Sequence, residues 1–413
     1  MNEPRRANHR HGARSRIAVV GMGKTAFGEH FSRSYADMII DSATAAVDAA
    51  GITLNDIDAA WLGTAFSYTY SEEGNAGTAL AEPLALWGRP VTRVANYCAT
   101  GMDAVRHGAM AVAAGEAEFA LIVGAEKMRD VAPRASLLGQ HIERGHPVIA
   151  KGRTAPGMFG VIATRYTYEF TSPREAMTAV AVKNHRYGAI NPNAHLRAEV
   201  TPEQVERAAP VSGMVGLLDC CPTTDGAAAL VLTTEERAKE LGVEYTVLAA
   251  CELAATQGYF TAQFDPGNDF LGFDSTRAAA AAAYRKAGIT DPLDELDVIE
   301  CHDCFTITEV INYEDLGLVE KGSGHRLVLD GDTGPGGRLP VNTSGGLQSC
   351  GHPIGASGVR MVIDVAEQLL GRCEPGRQVP GAELGLAHAL GGPGSVASVA
   401  IVARPERQSR PLS

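Results

Sequence analysis

Strand-length apolar runs alternate along this chain with longer stretches whose apolar positions recur at helical spacing, and that difference in period separates strand from helix. Arg16-Ile17-Ala18-Val19-Val20-Gly21, a β-branched run closed by glycine, predicts a buried strand. A helix is predicted roughly from Tyr35 to Ala50 and a strand near Ala59 to Leu62. A turn at Cys98 leads into an Ala-rich helix, followed by the strand Phe119 to Gly124. A later series begins near Tyr245-Thr246-Val247-Leu248 and continues with a helix from Ser275 to Ala287 and a strand from Asp297 to Cys301. It ends in a turn and helix at His352 and the strands Leu384 to Leu390 and Val396 to Val402. Such alternation predicts an α/β protein in which helices cover the faces of a sheet.

The two series echo each other. Cys98-Ala99-Thr100-Gly101-Met102-Asp103-Ala104-Val105-Arg106 can be laid over His352-Pro353-Ile354-Gly355-Ala356-Ser357-Gly358-Val359-Arg360, with Gly, Val and Arg at the same offsets. Ala50-Gly51-Ile52-Thr53 is repeated as Ala287-Gly288-Ile289-Thr290. Two copies of one βαβ-rich unit, packed about a pseudo-twofold axis, would bring a thiol and an imidazole together at facing helix N-termini. That pairing can activate a nucleophile. The copies differ in one place. Gly391-Gly392-Pro393-Gly394 alone joins the last two strands, whereas a long insertion separates the strand ending near Gly124 from its partner, Ala227 to Leu232. A structureless loop of that length is uncommon, so a cap with its own structure is expected. The expected division is a disordered arm over 1–15, an N-terminal half over 16–244 carrying an inserted loop domain at 128–224, a C-terminal half over 245–405, and a tail at 406–413.

Composition narrows the partners. The chain has 413 residues, 45% of them hydrophobic and 20% charged, enough for two domain-sized cores. A net charge of −12 argues against nucleic acid as the main partner. Apolar stretches are broken by glycine and polar residues, so no membrane span is expected. Met1 to Ser15 lacks the apolar run of a signal peptide, so the eight cysteines are expected reduced in the cytoplasm. From Met128 to Thr224 eleven Lys/Arg face eight Asp/Glu, which suits a phosphate-bearing tail lying on the cap or an ordinary charged surface. Phe159, Tyr166, Tyr168 and Phe170 are candidates for a pocket lining or for the cap's own core.

Four segments carry candidate chemistry. Cys98 precedes a helix, and peptide dipoles there favour the thiolate; a drop of about one to two units from ~8.5 would leave much of it ionised. Its alternative is a small buried apolar residue. His352, flanked by Gly351 and Pro353, can take the thiol proton and later hold a negative oxygen, or simply cap its helix. His302-Asp303-Cys304-Phe305 follows a strand, and strand ends are where active sites gather in α/β sheets. A second thiol there could move protons to or from carbon. Cys301-x-x-Cys304 also invites a zinc or redox reading, but adjacent Cys220-Cys221 give the wrong spacing for a second ligand pair, and no metal is expected. Gly391-Gly392-Pro393-Gly394 offers bare backbone for an oxyanion or a tight turn. Gly21-Met22-Gly23-Lys24-Thr25-Ala26 fits a loose dinucleotide pattern without the expected acid on a following strand.

From about Arg16 to Arg404 the chain resembles a thiolase of the sterol-carrier-protein type, close to the acetyl-CoA acetyltransferases. The markers are the Cys98 turn, Asn184-His185, Asn191-Pro192, Cys221-Pro222-Thr223-Thr224-Asp225-Gly226-Ala227, His302-Asp303-Cys304-Phe305 and Gly351-His352-Pro353-Ile354-Gly355. The resemblance implies a duplicated, five-layered αβαβα thiolase fold whose inserted loop domain covers coenzyme A. It implies that Cys98 takes the acyl group, activated by His352, and that His302 and His352 hold the thioester enolate. Cys304 would be the acid/base, with the amides of Cys98 and Gly391 as a second oxyanion hole. Most thiolases carry the acid/base cysteine in a Cys-x-Gly near the C-terminus; here Ala389-Leu390-Gly391 has none, and Cys304 supplies the thiol. The implied reaction is cleavage of a 3-ketoacyl-CoA by coenzyme A, or the reverse Claisen condensation. Coenzyme A is then a substrate, no cofactor is tightly bound, and the chain is a homodimer or tetramer. Rival readings are a retro-aldolase on a β-hydroxyacyl-CoA, a thiolase subunit working only with a small zinc-ribbon/OB-fold partner, a non-catalytic scaffold subunit and, from Gly21, a nicotinamide enzyme.

Overall fold

A computed structural model describes residues 16–71, 73–132, 135–136, 154–257 and 269–407. The expected arm at 1–15 and most of the tail at 406–413 lie outside them. The strands are β1 (Ile17–Lys24), β2 (Ala59–Gly63), β3 (Val91–Val94), β4 (Ala120–Glu126), the hairpin β5 (Pro210–Ser212) and β6 (Val215–Gly216), β7 (Gly226–Thr234), β8 (Thr246–Ala255), β9 (Val298–Glu300), β10 (Leu384–Gly391) and β11 (Val396–Ala403). The longer helices are α1 (Tyr35–Ala49), α2 (Thr100–Ala114), α3 (Ala155–Glu169), α4 (Arg174–Ile190), α5 (Asp274–Ala287), α6 (Thr306–Asp315) and α7 (Ile354–Leu370).

Apart from β5 and β6, the strands form one sheet in the order β3-β2-β4-β7-β1-β8-β11-β10-β9, and it reads the same from either end. In the first half β3, β2 and β4 are parallel, and β7 and β1 then alternate. In the second half β9 and β10 are parallel, and β11 and β8 alternate. β1 and β8 pair antiparallel at the centre. Beyond β9, a parallel bridge between Ile299 and Val341 stands where β3 stands in the first half. The duplication seen in the sequence is thus a duplication of topology.

The side-chain period places the layers. Along β1, Ala18 and Val20 pack with Met38, Ile39 and Ala46 of α1, while Ile17 and Val19 belong to the other, larger core. β4 repeats this, with Leu121 and Val123 toward α1 and Ala120 and Ile122 away from it. Helices α2 and α7 touch each other and strands of both halves of the sheet. α1 covers β1, β7 and β4, whereas α5 covers β8 and β11. The succession α1, first half-sheet, α2 with α7, second half-sheet, α5 is the five-layered αβαβα arrangement.

Gly21 and Gly23 lie inside β1, where a methyl group on Gly21 would strike the backbone of Ala46 and Cβ of Ala50. Those glycines admit α1 against the sheet; β1 runs straight through the dinucleotide-like pattern, leaving no loop to cradle a phosphate. The insertion between β4 and β7 contains α3, α4 and the β5–β6 hairpin. Thr154 starts α3 by accepting a bond from the Gly157 amide at 3.1 Å. Of the four cap aromatics, only Phe159 reaches the cavity described below. Tyr166 is buried with its hydroxyl on Glu314, and Tyr168, 85% exposed, faces outward with Phe170 at the far end of the helix.

Candidate active site

The match between the Cys98 and His352 turns exists because of how α2 and α7 meet. A methyl group on Gly101 would sit 2.5 Å from the Gly355 carbonyl oxygen and 3.0 Å from the Val359 amide. Each helix therefore presents its bare second residue to the other's backbone, and the residues just before the helices converge. The turn ahead of α2 is strained: Tyr97 has φ of +48°, a left-handed conformation costly for an aromatic residue. Thr100 Oγ1 holds that turn, accepting from the Asn96 amide at 2.7 Å and donating to the Tyr97 carbonyl at 2.5 Å.

The sulfur of Cys98 and one ring nitrogen each of His302 and His352 all lie within 4.8 Å of one another. The two imidazoles meet edge to face, centroids 5.2 Å apart at 82°. They open on a cavity of about 570 Å³ that also reaches Cys221, Cys304 and Gly391. Its walls are mainly apolar, with Phe66, Phe159, Phe305 and Leu390 among them, and Phe159 stacks on Phe305 at 4.6 Å. A larger hollow of about 880 Å³ lies elsewhere, by Arg16, Arg106 and Lys286, and includes none of these thiols or imidazoles.

His352 has a defined tautomer. Ser357 Oγ donates to the Pro353 carbonyl at 2.9 Å, so at 2.7 Å it accepts the proton on His352 Nδ1. Nε2 keeps its lone pair, buried and without a hydrogen-bond partner among the described residues. Burial, with Arg360 adding to it, brings the ring pKa down to about 3, and His302 also lies well below its usual value through burial and the neighbouring His352. Both imidazoles are neutral at physiological pH. The Cys98 expectation needs correction here. Burial, with a further contribution from Glu126, pushes the thiol up to about 12 rather than down. The apolar cavity outweighs the helix dipole, so the resting sulfur is protonated and needs a base.

The segment bearing His302 and Cys304 is fixed from behind. Asp303 accepts from the Leu347 amide at 2.6 Å and from Asn184 Nδ2 at 2.8 Å, tying it to the turn that leads to His352 and to α4. Asn184 also donates to Glu309 at 2.8 Å, and Glu309 receives Lys183 Nζ at 2.5 Å and Asn342 Nδ2 at 2.6 Å. Asn184 thus has a physical task, bridging two buried carboxylates. Cys304 Sγ lies 3.9 Å from Thr308 Oγ1, and burial holds its thiol well above the ordinary value. A methyl group on Gly391 would lie 2.8 Å from the Cys98 nitrogen, so β10 ends against the backbone of the nucleophile turn.

All five residues singled out from the sequence, Cys98, His302, Cys304, His352 and Gly391, line one cavity. Sequence reasoning missed several that hold them. Glu126, fully buried at the end of β4, accepts from the amides of Ala65 and Phe66, the hydroxyls of Thr64 and Ser67, and the Gly355 amide at 2.8 Å. It seats the first turn of α7. Ser357 and Arg360 were visible only as positions in the repeat. Cys221 stood in a family marker without a role, although its amide donates to the Cys304 carbonyl at 3.0 Å.

Residues 17–211 match the family model "Thiolase, N-terminal domain" and residues 257–404 match "Thiolase C-terminal domain-like". The chain is 37% identical over 388 residues to the acetyl-CoA acetyltransferase of Methanothermobacter thermautotrophicus, covering 94% of this chain and 99% of that protein. It is 33% identical over 402 residues to sterol carrier protein 2 of Homo sapiens, covering 92% of this chain and 71% of that one. A chain of the Ltp2–ChsH2(DUF35) aldolase superposes with a TM-score of 0.82 at 22% identity, covering 95% and 99% of the two chains. The acetyl-CoA acetyltransferase from Syntrophomonas wolfei does so with a TM-score of 0.70 at 19% identity, covering 95% and 100%. These two speak for the fold alone. The sequence relatives span nearly all of this chain, which belongs to the thiolase family and is an acyltransferase of that family.

Proposed function

We propose that the chain cleaves a 3-ketoacyl-CoA with coenzyme A, or runs the reverse Claisen condensation, through an acyl-enzyme on Cys98. The observation that carries this reading is the convergence of one thiol and two neutral imidazoles within 4.8 Å at the floor of an apolar cavity. His352 Nε2 takes the Cys98 proton as the sulfur attacks the ketone carbon. The amides of Cys98 and Gly391 hold the resulting oxyanion. The carbon–carbon bond then breaks, and its electron pair moves into a thioester enolate whose oxygen sits between His302 and His352. Cys304 donates its proton to the enolate carbon, and the shortened acyl-CoA leaves. Coenzyme A next attacks the Cys98 thioester, giving its thiol proton to the Cys304 thiolate, and the expelled Cys98 sulfur takes back the proton held on His352 Nε2. Each oxyanion donor is worth on the order of 3 kcal/mol in the barrier. Splitting one hard step into two is what the covalent intermediate achieves.

Residues 16–244 and 245–405 serve as the two halves, with 128–224 as the loop domain over the pantetheine arm; the palindromic sheet supports that division. The open edge of β3, at which the described sheet ends, supports pairing with a second copy as a homodimer or tetramer. Eight free cysteines suit the reducing cytoplasm. No helix among the described residues is long and apolar enough to cross a membrane. The test is thiolysis of a 3-ketoacyl-CoA by the purified chain, with peptide mapping of the acyl group. Acylation at Cys98 is expected; acylation at Cys304 instead would reverse the roles. The Ltp2–ChsH2(DUF35) neighbour raises a rival, retro-aldol cleavage with a small zinc-ribbon/OB-fold partner. Carbonyl release from a β-hydroxyacyl-CoA without added coenzyme A would favour it.

A further inference from the structure

We propose that Cys98, His302 and His352 form a three-ligand site for a thiophilic divalent cation, zinc foremost, which switches the enzyme off reversibly. The donor set is one sulfur and two imidazole nitrogens with no carboxylate, the N/S combination that zinc prefers over hard cations. With Zn–S near 2.3 Å and Zn–N near 2.0–2.1 Å, ligand atoms in a tetrahedral site stand roughly 3.3–3.7 Å apart. The three atoms are already within 4.8 Å, so a shift of about 1 Å closes the site.

Three further features fit a cation. His302 Nδ1 and His352 Nε2 are each buried without a hydrogen-bond partner among the described residues. Ser357 holds His352 by Nδ1, the outer-sphere contact that orients a ligating imidazole. The fourth position faces the cavity, so water or a substrate thiol completes the shell and the ion can exchange. On binding, the Cys98 S–H bond breaks, an S–Zn bond forms and the proton leaves to solvent water. No electron is transferred. The ion then occupies the space where sulfur and substrate oxygens meet, so metal and acyl group exclude each other; this last consequence rests on the acyl-enzyme reading.

The test uses the full chain, stripped with a chelator and titrated with cobalt(II) as a spectroscopic stand-in and with zinc(II) by equilibrium dialysis. One ion per chain is expected, with a near-ultraviolet thiolate-to-cobalt absorption band. Cys98→Ala should abolish the band, and His302→Ala and His352→Ala should each weaken binding by about tenfold or more. Cys221→Ala, which removes a cavity thiol outside the trio, should keep the band. Circular dichroism checks that each variant folds, and Cys98→Ser repeats the test with smaller perturbation. A band that survives Cys98→Ala, or no stoichiometric binding at millimolar metal, overturns the proposal. Prior acylation should block the band. A protein that binds cobalt as described yet never acylates would keep the metal site and refute the acyl-transfer reading instead.

Discussion

The Cys98 and His352 turns began as one pattern, and the residues that still match do different work from those that have parted. What they share is contact: Gly101 and Gly355 let the helices touch, and Val105 and Val359 are both fully buried between the half-sheets. What they do not share is support. At the eighth position after each turn, Arg106 is half-buried and has no ion pair among the described residues, whereas Arg360 is 1% exposed and bonds Glu300 at 3.0 Å, Asp364 at 2.8 Å and Ser344 at 2.5 Å. Glu300 ends β9, two residues before His302, so Arg360 ties the helix behind one imidazole to the strand behind the other. The first copy keeps a strained turn and a reactive sulfur, while the second has become the rigid frame holding both rings.

The largest expected effect tests the reactive side. Cys98→Ala should lower turnover on the order of 10⁴-fold or more while leaving the unfolding midpoint nearly unchanged, since removing a nucleophile removes a pathway rather than a weak contact. Steady-state thiolysis and urea unfolding of the same preparation read both quantities. Turnover within tenfold of the parent would end the nucleophile assignment.

The frame is tested by a matched pair. Arg360→Met leaves Glu300 facing only Ser344 and Thr343 in a dry interior, and should cost about 3–5 kcal/mol in stability. Arg106→Met, at the same offset, should stay within about 0.5 kcal/mol. Equal losses in urea unfolding would mean the two copies are not differently supported.

Acid should find the second half first. His302, His352 and His388 are buried there and held neutral, His388 down to about 3 by burial alone. In the unfolded chain each takes a proton near ~6.5. Stability is therefore complete above that value and falls as the pH drops toward about 3, by about 1.4 kcal/mol per unit for each histidine. His388→Gln should flatten the slope between pH 6 and 4.5 by about one histidine's share, measured as unfolding free energy at several pH values. An unchanged slope would show that His388 is protonated in the folded state.

Much of this was legible in the chain because the physical demands are local. Short apolar runs closed by glycine read as strands, and the matched offsets of the Cys98 and His352 turns read as helix N-termini that face each other. Asn184 and Asp303 stood in separate motifs, and the bond that joins them spans 119 residues. Glu126 and the Gly355 amide are 229 residues apart, and nothing near either announces the bond. The Cys98 thiol was misjudged for the same reason. Its helix is written next to it, while the apolar walls that overrule the helix come from Phe66, Phe159, Phe305 and Leu390.

The smallest effect sharpens the comparison most, because it falls on one offset where the copies chose different residues. Five places after Cys98 stands Asp103, which accepts from Asn96 Nδ2 at 3.2 Å and approaches His107 at the surface end of the turn. Five places after His352 stands Ser357, which receives Nδ1–H and so leaves the Nε2 lone pair for the thiol. Losing that hydrogen bond should cost about 1.4 kcal/mol in the acylation barrier, or roughly tenfold in rate, without altering substrate affinity. Ser357→Ala is therefore expected to lower the pre-steady-state acylation rate about tenfold at unchanged KM, with Ser357→Thr restoring most of it. Asp103→Ala should leave that rate within about twofold, since its carboxylate steadies Asn96 and not the base. If the two changes slowed acylation alike, offset five would be a matter of helix packing, and His352 would owe its orientation to its burial alone.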